Sequence, residues 1–229
     1  MQTIDENDKP EELERIRNLL SFERDLWTQN IRFIAGLDEV GRGPLAGPVV
    51  AAAVIFPPDV YIPHIDDSKK LTQQTRENLF DVITQTALTY AIASADVGEI
   101  DRYNILQASF LAMQRALDHL NTKPEFLLVD GKLYPRQSIP FKTIVKGDSR
   151  CFSIAAASIL AKVTRDNMMS EYDRVFPEYG FEQHKGYATA AHLDAIEANG
   201  FCEIHRKSFH PRRFSGQLSL FEEQDGETA

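Results

Sequence analysis

The sequence predicts an α/β fold, a mixed β-sheet flanked by helices with further helices towards its C-terminal end. Three observations point there. Two early segments, IRFIAGLDEV and PVVAAAVIF, cluster β-branched and aromatic residues between Gly and Pro punctuation, as strands do. A short, wholly apolar run, Phe126 to Val129, ends in Asp130-Gly131, the pattern of a buried central strand. After Phe141 to Val145, one more strand, the patterns are mostly helical, and early strands followed by helices pack as a sheet under helices.

In chain order, Pro10 to Gln29 reads as one short amphipathic helix, with Leu13, Ile16, Leu19 and Leu20 at helical spacing, packing on the body or on a partner. Strands at 31–40 and 48–56 follow. Leu71 to Ile83 is helical, Ala87 to Val97 alternates as a third strand, and Ile105 to Leu120 is a strong helix. Ile154 to Arg174, rich in Ala and Ile, gives the longest helix, and Thr189 to Ala198 another that stops at Asn199-Gly200. The expected organisation is a helical extension over 1–30, a globular body over 31–214 and a tail over 215–229.

Composition sets limits. With 229 residues, 43% of them apolar, the chain can bury a full core. Cys151 and Cys202 have neither metal-finger nor disulfide-framework spacing, which fits a reducing compartment. The start carries no signal-peptide pattern, and the longest apolar stretch, Val49 to Phe56, is far short of the roughly 20 residues that span a bilayer. A cytoplasmic protein is expected. The net charge of −9 sits at the ends: residues 1–30 hold eight acids and four bases, and 222–229 four acids and no base. The body between has 22 acids and 21 bases, so it can carry a basic face for a polyanion.

Four acids stand where a core would not want them. Asp38 and Glu39 lie at the end of the first strand, Asp130 closes the run 126–129, and Asp148 precedes a helix. Tips of neighbouring strands are about 5 Å apart, so Asp38 and Asp130 meet if their strands are adjacent and parallel. Converging carboxylates repel, and a hard divalent cation relieves the repulsion, an arrangement suited to phosphodiester hydrolysis. Any one of them, taken alone, is more often a turn former or helix cap.

The strings GLDEVGRGPLAGPVVAAAVI, DDSKKL, LVDG, VKGDSR, AAASILAKVTRD and QHKGYAT resemble ribonuclease HII in identity and order, over about Ile31 to Phe214. The resemblance implies a ribonuclease H-like fold of the bacterial type. It places Asp38, Glu39, Asp130 and Asp148 on the family's four acidic positions, with manganese or magnesium as the metal. The activity implied is an endonuclease that hydrolyses the RNA strand of RNA:DNA hybrids and cuts 5′ to ribonucleotides embedded in DNA, leaving a 3′-hydroxyl and a 5′-phosphate. A junction resolvase of the same fold, or a noncatalytic hybrid-binding module, are the competing readings; the first gives no reason for GRG and HKGY, and the second would be expected to have lost an acid.

Telling RNA from DNA requires contact with the 2′-hydroxyl. Gly41-Arg42-Gly43 follows the acidic pair, and the resemblance assigns it to the ribose, although two glycines serve a tight turn equally well. Tyr187 matches the family tyrosine that resembles a platform beneath the next sugar. Lys69, Lys70, Lys146, His184 and Lys185 are candidate phosphate contacts. The basic run from His205 to Arg213 either grips the duplex backbone or neutralises acidic neighbours. Finally, Gln217, Leu218, Leu220 and Phe221, in a polar terminus expected to be disordered, look like the peptide by which bacterial repair proteins bind the DNA sliding clamp; the alternative is a last helical turn packed on the body.

Overall fold

A computed structural model describes residues 10–58, 60–135, 138–209, 211 and 213. Strands β1 (Ile34–Val40), β2 (Val49–Ile55), β3 (Thr89–Ala95), β4 (Phe126–Asp130) and β5 (Phe141–Ile144) form one sheet in the order β3-β2-β1-β4-β5. β1 pairs antiparallel with β2 and parallel with β4, and β5 continues the parallel half. The sheet is therefore mixed. β2, with the sequence VVAAAVI, is buried along its whole length, as a continuous apolar run requires.

Alternation along β2 divides the core. Val50, Ala52 and Val54 face a cluster that includes Phe152, Ala155, Ala156 and Ile159, whereas Val49, Ala51, Ala53 and Ile55 face Ala108, Ala112, Met113 and Ala116. The first layer is α6 (Phe152–Val175), backed by α3 (Gln73–Thr86); the second is α5 (Ile105–Asp118). Small residues at the start of α6 let it lie close to the sheet. A Cβ built on Gly36 would come within 2.3 Å of the Ser153 backbone, so β1 and α6 touch main chain to main chain there.

The single N-terminal helix expected over 10–29 is two, α1 (Pro10–Leu19) and α2 (Ser21–Thr28), joined at Leu20. The break lets Ile16, Leu19 and Leu20 enter the core beside α6 while Leu26 enters a second cluster with Ile34, Leu128 and Ile154. It also delivers Glu23 to the beginning of α6. One Glu23 oxygen accepts from the Ser153 amide (2.8 Å), the Ser153 hydroxyl (2.7 Å) and the Cys151 thiol (3.1 Å). A carboxylate thus satisfies a helix start that has no cap of its own.

The helix α4 (Val97–Tyr103) was not expected. Its signal was nonetheless in the sequence: Asp96 and Glu99 form a complete capping box, which ends β3 before Val97. The remaining helices are the short α7 (Phe181–His184) and α8 (Ala190–Asn199), which begins at the capping Thr189. No helix of the described residues is long and apolar enough to cross a membrane.

The close approach at Gly36 yields a test. Gly36→Ala forces β1 from α6, and overpacking of this kind should cost about 3 kcal/mol. Urea unfolding measures it; a loss below about 1 kcal/mol would show that α6 yields freely.

Candidate active site

Leu37 pairs with Val129 across the parallel strands, so the next step along both sets Asp38 beside Asp130. Alternation puts both on the α6 face, since Gly36 touches Ser153 and Leu128 packs with Ile154. β4 continues in register to Asp130 against Ile144, and the chain then turns through Lys146 in the left-handed region (φ 56°) into a 3-10 turn, Gly147–Ser149. This turn brings Asp148 alongside. The Gly147 amide donates to Asp130 Oδ1 at 2.6 Å, pinning that carboxylate. Glu39, one residue on, leaves β1 by the opposite face and accepts from Arg42 Nη1 at 3.1 Å.

Electrostatics follow from this crowding. Burial raises the Asp38 pKa well above the carboxylate range, and the charges of Glu39 and Asp130 add to it. Burial also raises Glu39, against the pull of Arg42. Asp130 is raised by burial too, with the Gly147 hydrogen bond opposing and Asp148 adding repulsion. Besides Arg42 at Glu39, Lys69 is bonded into this group: its ammonium donates to Asp148 Oδ2 at 2.9 Å. Burial lowers the Lys69 pKa, but its bond to and attraction by Asp148 outweigh that and raise it.

All the donors are carboxylate oxygens, the set that hard divalent ions prefer. Among the described residues, no three His, Cys, Asp or Glu side chains converge as a finished cage. Magnesium and manganese fit such an open set, because magnesium keeps several waters and takes few carboxylates directly.

The glycine-rich segment after β1 is held from behind by two arginines that the sequence reading did not single out. Arg165 of α6 and Arg206 are both fully buried, with 0% and 1% exposure. Arg165 donates to the carbonyls of Ala46 and Pro48, each at 3.0 Å, and to that of Lys185, also at 3.0 Å. Arg206 donates to the carbonyls of Gly41 (2.5 Å), Arg42 (3.1 Å) and Gly47 (2.7 Å). Gly41 (φ +94°) has no room for a side chain, since a Cβ would stand 2.2 Å from Arg165 Nε. Leu45 donates to Gly186, which ties the segment to the Lys185-Gly186-Tyr187 turn. A Cβ on Gly43 would lie 3.6 Å from the Tyr187 ring, itself 44% exposed. Gly43 and Tyr187 are therefore neighbours.

The candidate phosphate ligands fare differently. Lys146 is exposed. Lys70 is bonded to Asp66 at 3.1 Å, and Lys69 to Asp148. Lys185 turns inward to Ser170 Oγ (2.9 Å) and the Asp166 carbonyl (3.2 Å). His184 is engaged at both ring nitrogens and stacks on His192 with centroids 4.3 Å apart. In the basic run, His205 and Arg206 are core residues, and Arg213 is bonded to Asp194 and Glu197, which favours neutralisation of acidic neighbours over a continuous grip on nucleic acid. His210 and Arg212 lie outside the described residues, as do Gln217, Leu218, Leu220 and Phe221. One signal for Arg165 was legible: Ala157, Ala161, Arg165 and Met169 form a stripe four residues apart, and the other three are apolar.

Comparison with known proteins places these features. The ribonuclease HII family model matches residues 35–214. A ribonuclease HII of Desulfitobacterium hafniense is 53% identical over 200 residues, 87% of this chain and 77% of that protein. Among solved structures, the ribonuclease H2 of Pyrococcus horikoshii OT3 has a TM-score of 0.66 at 24% identity, covering 85% of this chain and 99% of its own. The ribonuclease HII of Archaeoglobus fulgidus, solved in complex with PCNA, gives 0.65 at 23%, covering 79% and 96%. Bst-RNase HIII in complex with Mn2+ gives 0.56 at 19%, covering 87% and 69%. At these identities the structural likenesses speak for the fold, which is ribonuclease H-like. Sequence relationship carries the rest: the chain belongs to the ribonuclease HII family and is a ribonuclease H endonuclease.

Proposed function

We propose that this protein cuts the RNA strand of RNA:DNA hybrids and cleaves 5′ to ribonucleotides embedded in duplex DNA, leaving a 3′-hydroxyl and a 5′-phosphate. The observation that carries the reading is the placement of Asp38 and Asp130 side by side on parallel strands, with Asp148 near enough to Asp130 to repel its charge. Asp38, Glu39, Asp130 and Asp148 would hold divalent metal, manganese or magnesium; the Mn2+ complex of the related-fold ribonuclease HIII supports a divalent ion. Two such ions supply activation of a water and stabilisation of the departing oxygen. The protein's own part is to fix the carboxylates: the Gly147 amide holds Asp130, and Lys69 offsets charge at Asp148 until substrate and metal arrive.

Gly41, Arg42 and Gly43 would meet the ribose, with Tyr187 under the adjoining sugar; their contact across Gly43 supports one shared surface. Lys69 and Lys146 remain candidates for phosphate, and Lys185 acts first by shaping its turn. Such an enzyme would remove ribonucleotides from DNA, in the cytoplasm. Both cysteines are free, which agrees with that compartment. Residues 217–221 would tether it to a DNA sliding clamp, a partnership that the Archaeoglobus complex with PCNA supports by analogy.

Asp38→Asn and Asp130→Asn keep shape and remove the charge that binds metal. Each should lower cleavage of a duplex bearing one ribonucleotide about 10²-fold or more, and abolish the rise in Tm expected when manganese is added to the unsubstituted protein. Near-normal rates in either variant would refute the carboxylate assignment.

Tyr187→Ala should slow cutting at a single ribonucleotide flanked by DNA more than cutting within a long RNA strand. Equal losses on the two substrates would assign Tyr187 to general support of the site. For the tail, Leu220→Ala with Phe221→Ala should remove binding to a bacterial sliding clamp, read by surface plasmon resonance, without changing cleavage of a free oligonucleotide. No binding by the unsubstituted protein at tens of micromolar, the range of weak peptide contacts, sinks that assignment.

A further inference from the structure

Arg206 is an unusual core residue. Its guanidinium is buried, has no carboxylate bonded to it among the described residues, and packs 4.9 Å from the centre of the Phe209 ring. Its bonds go instead to three main-chain carbonyls, two of them belonging to Gly41 and Arg42. A trans peptide unit is planar, with C=O and N–H pointing in opposite directions. Turning the Gly41 and Arg42 carbonyls inward to Arg206 therefore turns the amides of Arg42 and Gly43 away from it, at a segment whose Gly43 neighbours the Tyr187 ring.

The guanidinium is itself held in place. The main chain that carries it is paired to the reading segment through the Arg206 amide and the Leu45 carbonyl (2.9 Å) and an isolated bridge between Ala46 and His205. On its other side, Asp101 at the end of α4 accepts from the amides of Lys207 (3.0 Å) and Ser208 (2.9 Å) and from the Ser208 hydroxyl (2.6 Å). A chain of contacts thus runs from Asp101 through Ser208 and Arg206 to the two peptide planes.

We infer that Arg206 is a positioning residue for sugar selection: by capturing the Gly41 and Arg42 carbonyls it aims the Arg42 and Gly43 amides as a fixed pair of donors at the 2′-oxygen of the substrate. The inference rests on the reading of this segment as the ribose contact. It differs from a structural brace in what it controls, namely the preference for ribose over deoxyribose. A planar five-donor fork is needed for the task, because three carbonyls are held at once; a lysine keeps the charge but cannot span them.

The test is made on the full chain in an Asp38→Asn background, which stops turnover, with magnesium present. Affinities for a duplex with one ribonucleotide and for the same duplex in all-DNA form are measured by fluorescence anisotropy. With Arg206 intact, the ribonucleotide duplex should bind more tightly. Arg206→Lys should lower the ratio of the two affinities about tenfold, the scale of one or two lost hydrogen bonds, while affinity for the all-DNA duplex stays the same. Asp101→Ala, which releases the anchoring segment at an exposed site, should lower the same ratio a few-fold; it decides the matter if Arg206→Lys does not fold. An unchanged ratio in a folded variant, or equal weakening on both duplexes, reduces Arg206 to a core brace and overturns the proposal. Equal binding of the two duplexes with Arg206 intact would refute the ribose-contact reading itself.

Discussion

The parallel pairing of β1 with β4, pressed under α6, is the constraint on which the rest of the molecule depends. It puts two carboxylates at adjacent strand positions, and it works only because Gly36 lets the helix backbone reach the strand. The helix cannot lie there unsupported, since its first turn has no cap of its own. Glu23, brought by α2 from the start of the chain, supplies the missing acceptor. The N-terminal helices therefore serve the site indirectly, by fixing the beginning of the helix that covers it.

Repulsion among the acids is the counterpart of that packing. Asp38, Glu39 and Asp130 are each pushed towards protonation by burial, so the folded body carries an electrostatic tension that a cation relieves. Lys69 relieves part of it at Asp148 from a side chain that remains 73% exposed and so can swing away. A removable internal counter-ion beside fixed carboxylates is a sensible resting arrangement for a site that must admit both metal and a phosphodiester.

Much of this was legible in the sequence because it depends on local pattern. All five strands were visible as apolar runs, and the meeting of Asp38 with Asp130 followed from the single condition of parallel adjacency, which the sheet order satisfies. The failures share a cause. Arg206 sits in a run of basic residues that looks like surface, yet it is buried because the carbonyls that satisfy it come from a segment about 160 residues earlier. Lys185 and His184, read as candidate phosphate contacts, also have protein partners that the sequence did not announce, Ser170 and Asp166 for the first and Tyr179 for the second. Hydrogen bonds between distant segments leave no periodicity to read. The break at Leu20 escaped notice because both halves share one helical pattern, and only the two separate clusters they fill require it.

The bond from Arg206 to Gly41 joins residues 165 positions apart, and it bears on the order in which the protein is made. Strands β1 and β4 and the turn bearing Asp148 are complete by residue 149, and their pairing needs nothing further along the chain except the start of α6. Segments that enclose long stretches of chain dock late, because nothing rewards their closure until both ends are present. The segments that carry the acidic cleft therefore leave the ribosome before Arg206, the brace behind the glycine segment. The carboxylates are thus made before the residue proposed to govern choice of sugar, which the final third of the chain supplies.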